Sequence, residues 1–148
     1  MTPIAHNIRK ITSGHERARL HPEKDPRAAR EVAAEVARAL SGLDADITAI
    51  ACWTSPENLI LAFAVADASG VPAVQLSEDE GLLYLSWEIP PARVGLVSAS
   101  AESARQIDVA AEALAGAGHT CVAVAQLTPA EGDRDGLLTA RTLGDSER

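Results

Sequence analysis

Two stretches of this sequence repeat one grammar: an apolar strand, a serine-bearing turn, an Ala-rich helix stopped by glycine, and a second apolar strand. In the first, ADITAIACW (residues 45–53) runs into TSPENLILAFAVADASG and then VPAVQLS. In the second, RVGLVSA runs into SAESARQIDVAAEALAGAG and then TCVAVAQLT. Parallel strands cannot be joined by a tight turn, so a helix between them is the natural crossover, right-handed and laid on one face of the sheet. The strands are apolar almost throughout, as strands covered on both faces should be. The repeat therefore predicts an α/β fold: three layers, a mostly parallel sheet with helices on both faces.

The helix boundaries carry their own signals. DPRAAREVAAEVARALSG has Asp25 as N-cap, Pro26 at the first helical position, Val32, Val36 and Leu40 on one face, and Gly42 at its end. Ser55, Pro56 and Gly70 play the same parts in the next helix, and in the third Ser100 reads as the N-cap with Ile107, Ala111 and Leu114 on one side. LLYLSWEI reads as a short strand or half of a hairpin, and residues 140–143 as a last strand after the apolar pair Leu137 and Leu138. Ligands of such sheets sit beyond the carboxyl ends of the strands. Here those ends are Trp53-Thr54-Ser55, Gln75-Leu76-Ser77, Ser98-Ala99-Ser100 and Leu127-Thr128.

Composition narrows the function classes. Hydrophobic residues make up 47% of the 148-residue chain but aromatics only 3%, so the interior is expected to be built from close-packed backbones. No run approaches 18 apolar residues and MTPIAHNIRK has no hydrophobic signal region, so the expected location is the cytoplasm, with no membrane partner. The net charge of −8 is unevenly spread. Residues 1–30 carry seven basic and three acidic side chains, a balance of +4 that leaves −12 for the rest. Residues 1–24 read as a basic N-terminal arm and residues 25–148 as a single domain. The acidic body lacks the basic stripe of a nucleic-acid binder. Cys52 and Cys121 fall at opposite ends of their strands and are expected to stay reduced and buried. The arm's His6, His15 and His21 match no metal-ligand spacing, the acidic turn Glu78-Asp79-Glu80 reads as solvated, and no metal or cofactor is called for. Ile4, Ile8 and Ile11 fall at helical spacing and would anchor the arm, on its own body or on a dimer mate.

The order of elements from about residue 26 to 144 resembles the type I phosphoribosyltransferase fold, in particular its orotate phosphoribosyltransferase-like branch. Three segments carry the resemblance: DITAIACWTSPENLILAFAVADASGVPAVQLSED, GLLYLSWEIPPARVGLVSAS and ESARQIDVAAEALAGAGHTCVAVAQL. The family's chemistry resides in an apolar strand followed by Asp-Asp, two variable residues and Thr-Thr-Gly-Gly-Thr. The acidic pair holds the ribose hydroxyls of phosphoribosyl pyrophosphate, and the Thr/Gly loop wraps its 5′-phosphate. Laid on this chain, the acidic pair falls on Ser98 and Ala99, and the phosphate loop on residues 102–106, Glu-Ser-Ala-Arg-Gln. That exchange removes the acceptors for the diol, sets a carboxylate where a phosphate should lie, with repulsion of a few kcal/mol at an effective dielectric near 20, and deletes both glycines. Between Arg38 and Arg93 there is, besides, no Lys or Arg to balance a pyrophosphate.

The resemblance thus implies the fold, a degenerate site and a homodimer. The leading expectation is a non-catalytic structural, interaction or regulatory subunit, with the basic arm available to another protein. The alternative is a divergent phosphoribosyltransferase, or a nucleotide- or nucleobase-binding protein of nucleotide metabolism. The candidate crevice residues are Trp53, Ser55, Glu57, Asn58, Ser98, Ser100, Glu102, Ser103 and Arg105, with Trp53 either stacking on a base or sugar or packing against a neighbouring helix. A crevice closed by Trp53 and a Glu102–Arg105 pair would favour the first reading; a deep polar pocket around residues 98–103 would favour the second. No catalytic residue is named, because His119, the one histidine outside the arm, precedes a strand at the opposite edge of the sheet.

Overall fold

The computed structural model describes residues 2–14 and 17–144 of the chain. Its helices are α1 (Pro3–Lys10), α2 (Pro26–Ser41), α3 (Pro56–Ser69) and α4 (Ala104–Gly116), with a short 3₁₀ turn at Pro22–Lys24. A small antiparallel pair, β1 (Thr12–Ser13) and β2 (Arg19–Leu20), closes the loop after α1. The main sheet holds β3 (Ala49–Trp53), β4 (Ala73–Asp79), β5 (Leu82–Leu85), β6 (Arg93–Ser98), β7 (Thr120–Thr128) and β8 (Leu137–Thr142), in the order β5-β4-β3-β6-β7-β8. The four central strands are parallel, and the two edge strands run antiparallel.

The three-layer architecture read from the sequence is the one found. Along β3 the side chains alternate: Ile50 and Cys52 enter the core under α1, α2 and α3, while Ala49 and Ala51 enter the core under α4. The alanines let α4 approach the sheet closely. A register shift between β6 and β7 puts one extra residue in β7 beside Val94 and Gly95, so that Val122 and Ala123 both turn toward the α2 side.

The first three helices open alike. Thr2, Asp25 and Ser55 each accept a hydrogen bond from the amide three residues on, and a proline follows each at the first helical position. Gly70 ends α3 in the left-handed region at φ 72°, where a side chain would be strained.

Two expectations on edges are corrected. β3 starts at Ala49 rather than at residue 45, because Asp44 and Asp46 take positive φ and turn the chain, with the Arg93 guanidinium donating twice to the Ala45 carbonyl. The last strand begins at Leu137, since the turn at residues 131–134 returns the chain directly along β7.

The arm lies on its own body. Ile8 and Ile11 are fully buried, and Ile8 packs where Gly136 has no side chain: a Cβ there would come 2.2 Å from Ile8 Cγ2. Arg9 donates to the carbonyls of Gly132 and Arg134, and Thr12 Oγ1 accepts from Ala130 N–H. Of the arm's histidines, His21 lies 3.3 Å from Glu23, and His15 lies outside the described residues. No helix among the described residues is long and apolar enough to cross a membrane.

Candidate functional site

The turn from β6 into α4 is closed by its own side chains. Asn58, buried in the first turn of α3, places its Oδ1 2.7 Å from the Ala99 amide and accepts its proton. Ser98 Oγ accepts from Ser100 N–H at 3.2 Å, Gln126 Oε1 accepts from Glu102 N–H, and Gln106 Oε1 accepts from Ser103 N–H at 2.9 Å. Four amides that such a turn would offer to an anion are therefore already bonded to side-chain oxygens. The carboxylate of Glu102 lies across the turn, its Oε1 accepting from Ser98 Oγ and Ser100 Oγ, each at 3.0 Å. Electrostatically the carboxylate stands where an anion would, and the hydroxyls donate to it.

This corrects the reading of the helix start. Ser103, not Ser100, is the N-cap, and it forms a reciprocal box with Gln106. Glu102 precedes the cap, and its carboxylate accepts from the serine hydroxyls across the turn. The spacing Ser103-x-x-Gln106 was the available sequence signal.

Of the nine candidate residues, Asn58, Ser98, Ser100, Glu102 and Ser103 converge on this turn. Ser55 caps α3. Glu57 points away, 3.6 Å from Arg19 of the arm. Trp53 is half-buried and packs in the α4-side core, on the face of the sheet opposite α3. Arg105 is exposed on the first turn of α4 and makes no ion pair with Glu102, so the expected closure by Trp53 and a Glu102–Arg105 pair is corrected: Trp53 packs in the α4-side core, and the Glu102 carboxylate is held by the hydroxyls of Ser98 and Ser100. Sequence reasoning missed Gln126, which stands level with Ser98 in the sheet and so marks the working end of β7 one residue before Leu127. The strand-end residues Thr54, Gln75 and Ser77 form a neutral network with Ser86, which sequence reasoning missed: Thr54 Oγ1 lies 3.1 Å from Gln75 Oε1 and 3.2 Å from Ser77 Oγ, which meets Ser86 Oγ at 3.0 Å.

His119 is buried at the other end of the strands, where Nδ1 accepts from Ala92 N–H, far from any nucleophile of the turn. Cys52 and Cys121 are buried in the two separate cores, and burial pushes the Cys52 thiol up to about 12. Among the described residues no group of three or more His, Cys, Asp or Glu is placed to hold a metal ion.

No protein-family profile and no curated protein sequence matches the chain. Solved structures do. Orotate phosphoribosyltransferase from Mycobacterium tuberculosis H37Rv, in complex with inorganic phosphate, superposes with a TM-score of 0.64 at 21% identity, covering 86% of this chain and 76% of that one. The chain has the phosphoribosyltransferase fold. A phosphoribosyltransferase from Corynebacterium diphtheriae matches at a TM-score of 0.63 and 20% identity, over 87% of this chain and 82% of its own. Adenine phosphoribosyl transferase from Trypanosoma brucei, in complex with AMP, pyrophosphate and ribose-5-phosphate, matches at 0.60 and 16%, over 87% and 68%. The phosphoribosyltransferase fold places the β6–α4 turn at the carboxyl end of a central parallel strand, the position at which α/β sheets bind ligands.

Proposed function

We propose that this protein keeps the phosphoribosyltransferase fold as a scaffold and has lost phosphoribosyl transfer, serving as a structural, interaction or regulatory subunit. One observation carries the reading: the turn after β6 spends its amides on Asn58, Ser98, Gln126 and Gln106 and holds the Glu102 carboxylate in its mouth. A phosphate entering there would have to break those bonds, each worth about 0.5–1.5 kcal/mol net, and face Glu102 with no Lys or Arg supplied by residues 39–92. Phosphoryl and pyrophosphate groups are handled chiefly by positioned positive charge, and residues 39–92, which span the β3–α3 turn and the β4–β5 hairpin, supply none. Isothermal calorimetry with phosphoribosyl pyrophosphate and Mg²⁺ tests the proposal. A flat titration at millimolar ligand is expected, and micromolar affinity would overturn it.

A second reading is supported by the exposed hydroxyls of Thr54, Ser77 and Ser86 beside the turn. They suit a neutral polar ligand such as a nucleobase or nucleoside, which needs no cation. A thermal-shift series of nucleobases and nucleosides against the corresponding monophosphates separates the two: stabilisation by the neutral members alone supports this reading.

A further inference from the structure

The main sheet ends at β8, which pairs with β7 on one side and with nothing on the other among the described residues. Leu143 donates to the Val122 carbonyl, and bonding alternates along an antiparallel pair, so Leu137, Thr139 and Arg141 turn their backbone groups toward β7. The N–H and C=O groups of Leu138, Ala140 and Thr142 therefore point out of the sheet. No described residue bonds to them. Proteins commonly blunt such an edge with a bulge, a proline or a row of charges. β8 has none of these: it follows β7 in one register, and Arg141 is its one charged side chain.

The two faces of β8 are covered unequally. Leu138 and Ala140 pack against the core on the side where α1 lies. Val124, in the core under α4, stands opposite Arg141, so Leu137, Thr139, Arg141 and Leu143 share the α4 side. On that side a groove of about 680 Å³ runs between α4 and the strand, lined by Ala111, Ala115, Cys121 and Leu143, with Asp108 and Glu112 along α4. Leu137 projects at 58% exposure. One end of β8 thus carries a projecting leucine and the other end borders an apolar groove, and an antiparallel second β8 brings each leucine to the other groove.

We propose that β8 is an interface between two copies of this chain, which join edge to edge across a twofold axis at Ala140 into one continuous sheet. Ala140 then exchanges both backbone hydrogen bonds with its counterpart, and Leu138 does so with Thr142 of the second copy, in each direction. Leu137 comes opposite Leu143 of the second copy, beside its groove, and Thr139 opposite Arg141. Neighbouring registers fit worse. An axis at Arg141 sets the two guanidinium groups against each other, and an axis at Thr139 puts Leu137 opposite Arg141. Charge agrees with the chosen register: each Arg141 lies on the side of the sheet where the second copy carries Asp108 and Glu112, neither of which is in an ion pair among the described residues. The inference goes beyond the loss of transfer and does not depend on it, since calorimetry with phosphoribosyl pyrophosphate reads that loss separately.

The test uses the full-length protein at micromolar concentration. Sedimentation velocity should show an assembly whose mass is halved by Ala140→Pro, which removes an outward donor that no bond within the chain uses. Leu137→Asp, at an exposed position, should halve it too and keeps the test decisive where the proline disturbs β8 itself. Under mild oxidation Ala140→Cys should give a disulfide-linked dimer, because Cα atoms of a hydrogen-bonded antiparallel pair lie about 5.5 Å apart, within disulfide reach. Cys52 and Cys121 are buried and should not compete. A cysteine at the exposed position 109 of α4, introduced as Val109→Cys, should cross-link at least about tenfold more slowly. A monomeric parent, an assembly whose mass Leu137→Asp leaves unchanged, or cross-linking no faster at position 140 than at 109 overturns the proposal.

Discussion

Seating Ile8 against Gly136 makes a measurable prediction about how the N-terminal helix is held. Ile8 is fully buried, and truncating such a side chain removes transfer energy and leaves a cavity, so Ile8→Ala should destabilise by about 2–5 kcal/mol. Gly136→Ala perturbs the same contact from the other side. Its new Cβ would meet Ile8 Cγ2 at 2.2 Å and the Thr128 carbonyl oxygen at 2.7 Å, so overpacking should destabilise by about 1–3 kcal/mol. In the double variant the shortened side chain at position 8 makes room for the added methyl, while the clash with the Thr128 carbonyl remains. The pair should therefore fall short of additivity by about 1 kcal/mol, within the usual coupling range for touching residues. Urea denaturation followed by circular dichroism measures all four corners of the cycle, and each kcal/mol should also lower Tm by about 2–4 °C in a chain of this size. Additivity within about 0.3 kcal/mol, or an Ile8→Ala variant as stable as the parent, would refute the claim that the arm is an integral layer of the fold.

Replacing Asn58 by Leu should leave the Ala99 amide buried without an acceptor and lower stability by about 1–3 kcal/mol, whereas Asn58→Asp, which keeps an acceptor at the same place, should lose less; comparing the two by urea titration separates hydrogen bonding from packing. Cys52 should resist alkylation in the native state at neutral pH, and mass spectrometry showing its prompt modification without denaturant would contradict its burial. Because the folded thiol titrates near 12 against an ordinary 9.0, the unfolded state loses its proton first, so the Cys52 contribution to stability should be intact below pH 9 and fall as pH rises from 9 toward 12. Cys52→Ala should remove that part of the alkaline slope.

The fold was legible because the strand and helix signals agree with each other at several levels. Apolar runs fixed β3, β6 and β7; Asp25-Pro26 and Ser55-Pro56 fixed two helix starts; and Val32, Val36 and Leu40 fixed the buried side of α2, all three being found in one core. The edges were less legible. β5 and β8 are half-exposed, so their apolar character is diluted, and β8 depends on a turn at residues 131–134 whose backbone pairing no local pattern announces. At the site, sequence order indicated that residues 98–103 form the turn but not which oxygen meets which amide. Asn58 and Gln126 lie 41 and 24 positions from the amides they bind, and only the packing of α3 and β7 brings them there. Serine at both 100 and 103 made the cap ambiguous, and the choice was decided by Gln106.

The central claim is that the β6–α4 turn is filled from within, and its own amides can report on that. In a nitrogen-15 correlation spectrum, the Ala99, Ser100, Glu102 and Ser103 amides should keep their positions as inorganic phosphate, and then phosphoribosyl pyrophosphate with Mg²⁺, is added to millimolar concentration, because Asn58, Ser98, Gln126 and Gln106 already hold them. Saturable shifts of these four amides at micromolar ligand would show that the side chains yield to a phosphate, and the account of a self-occupied site would be wrong.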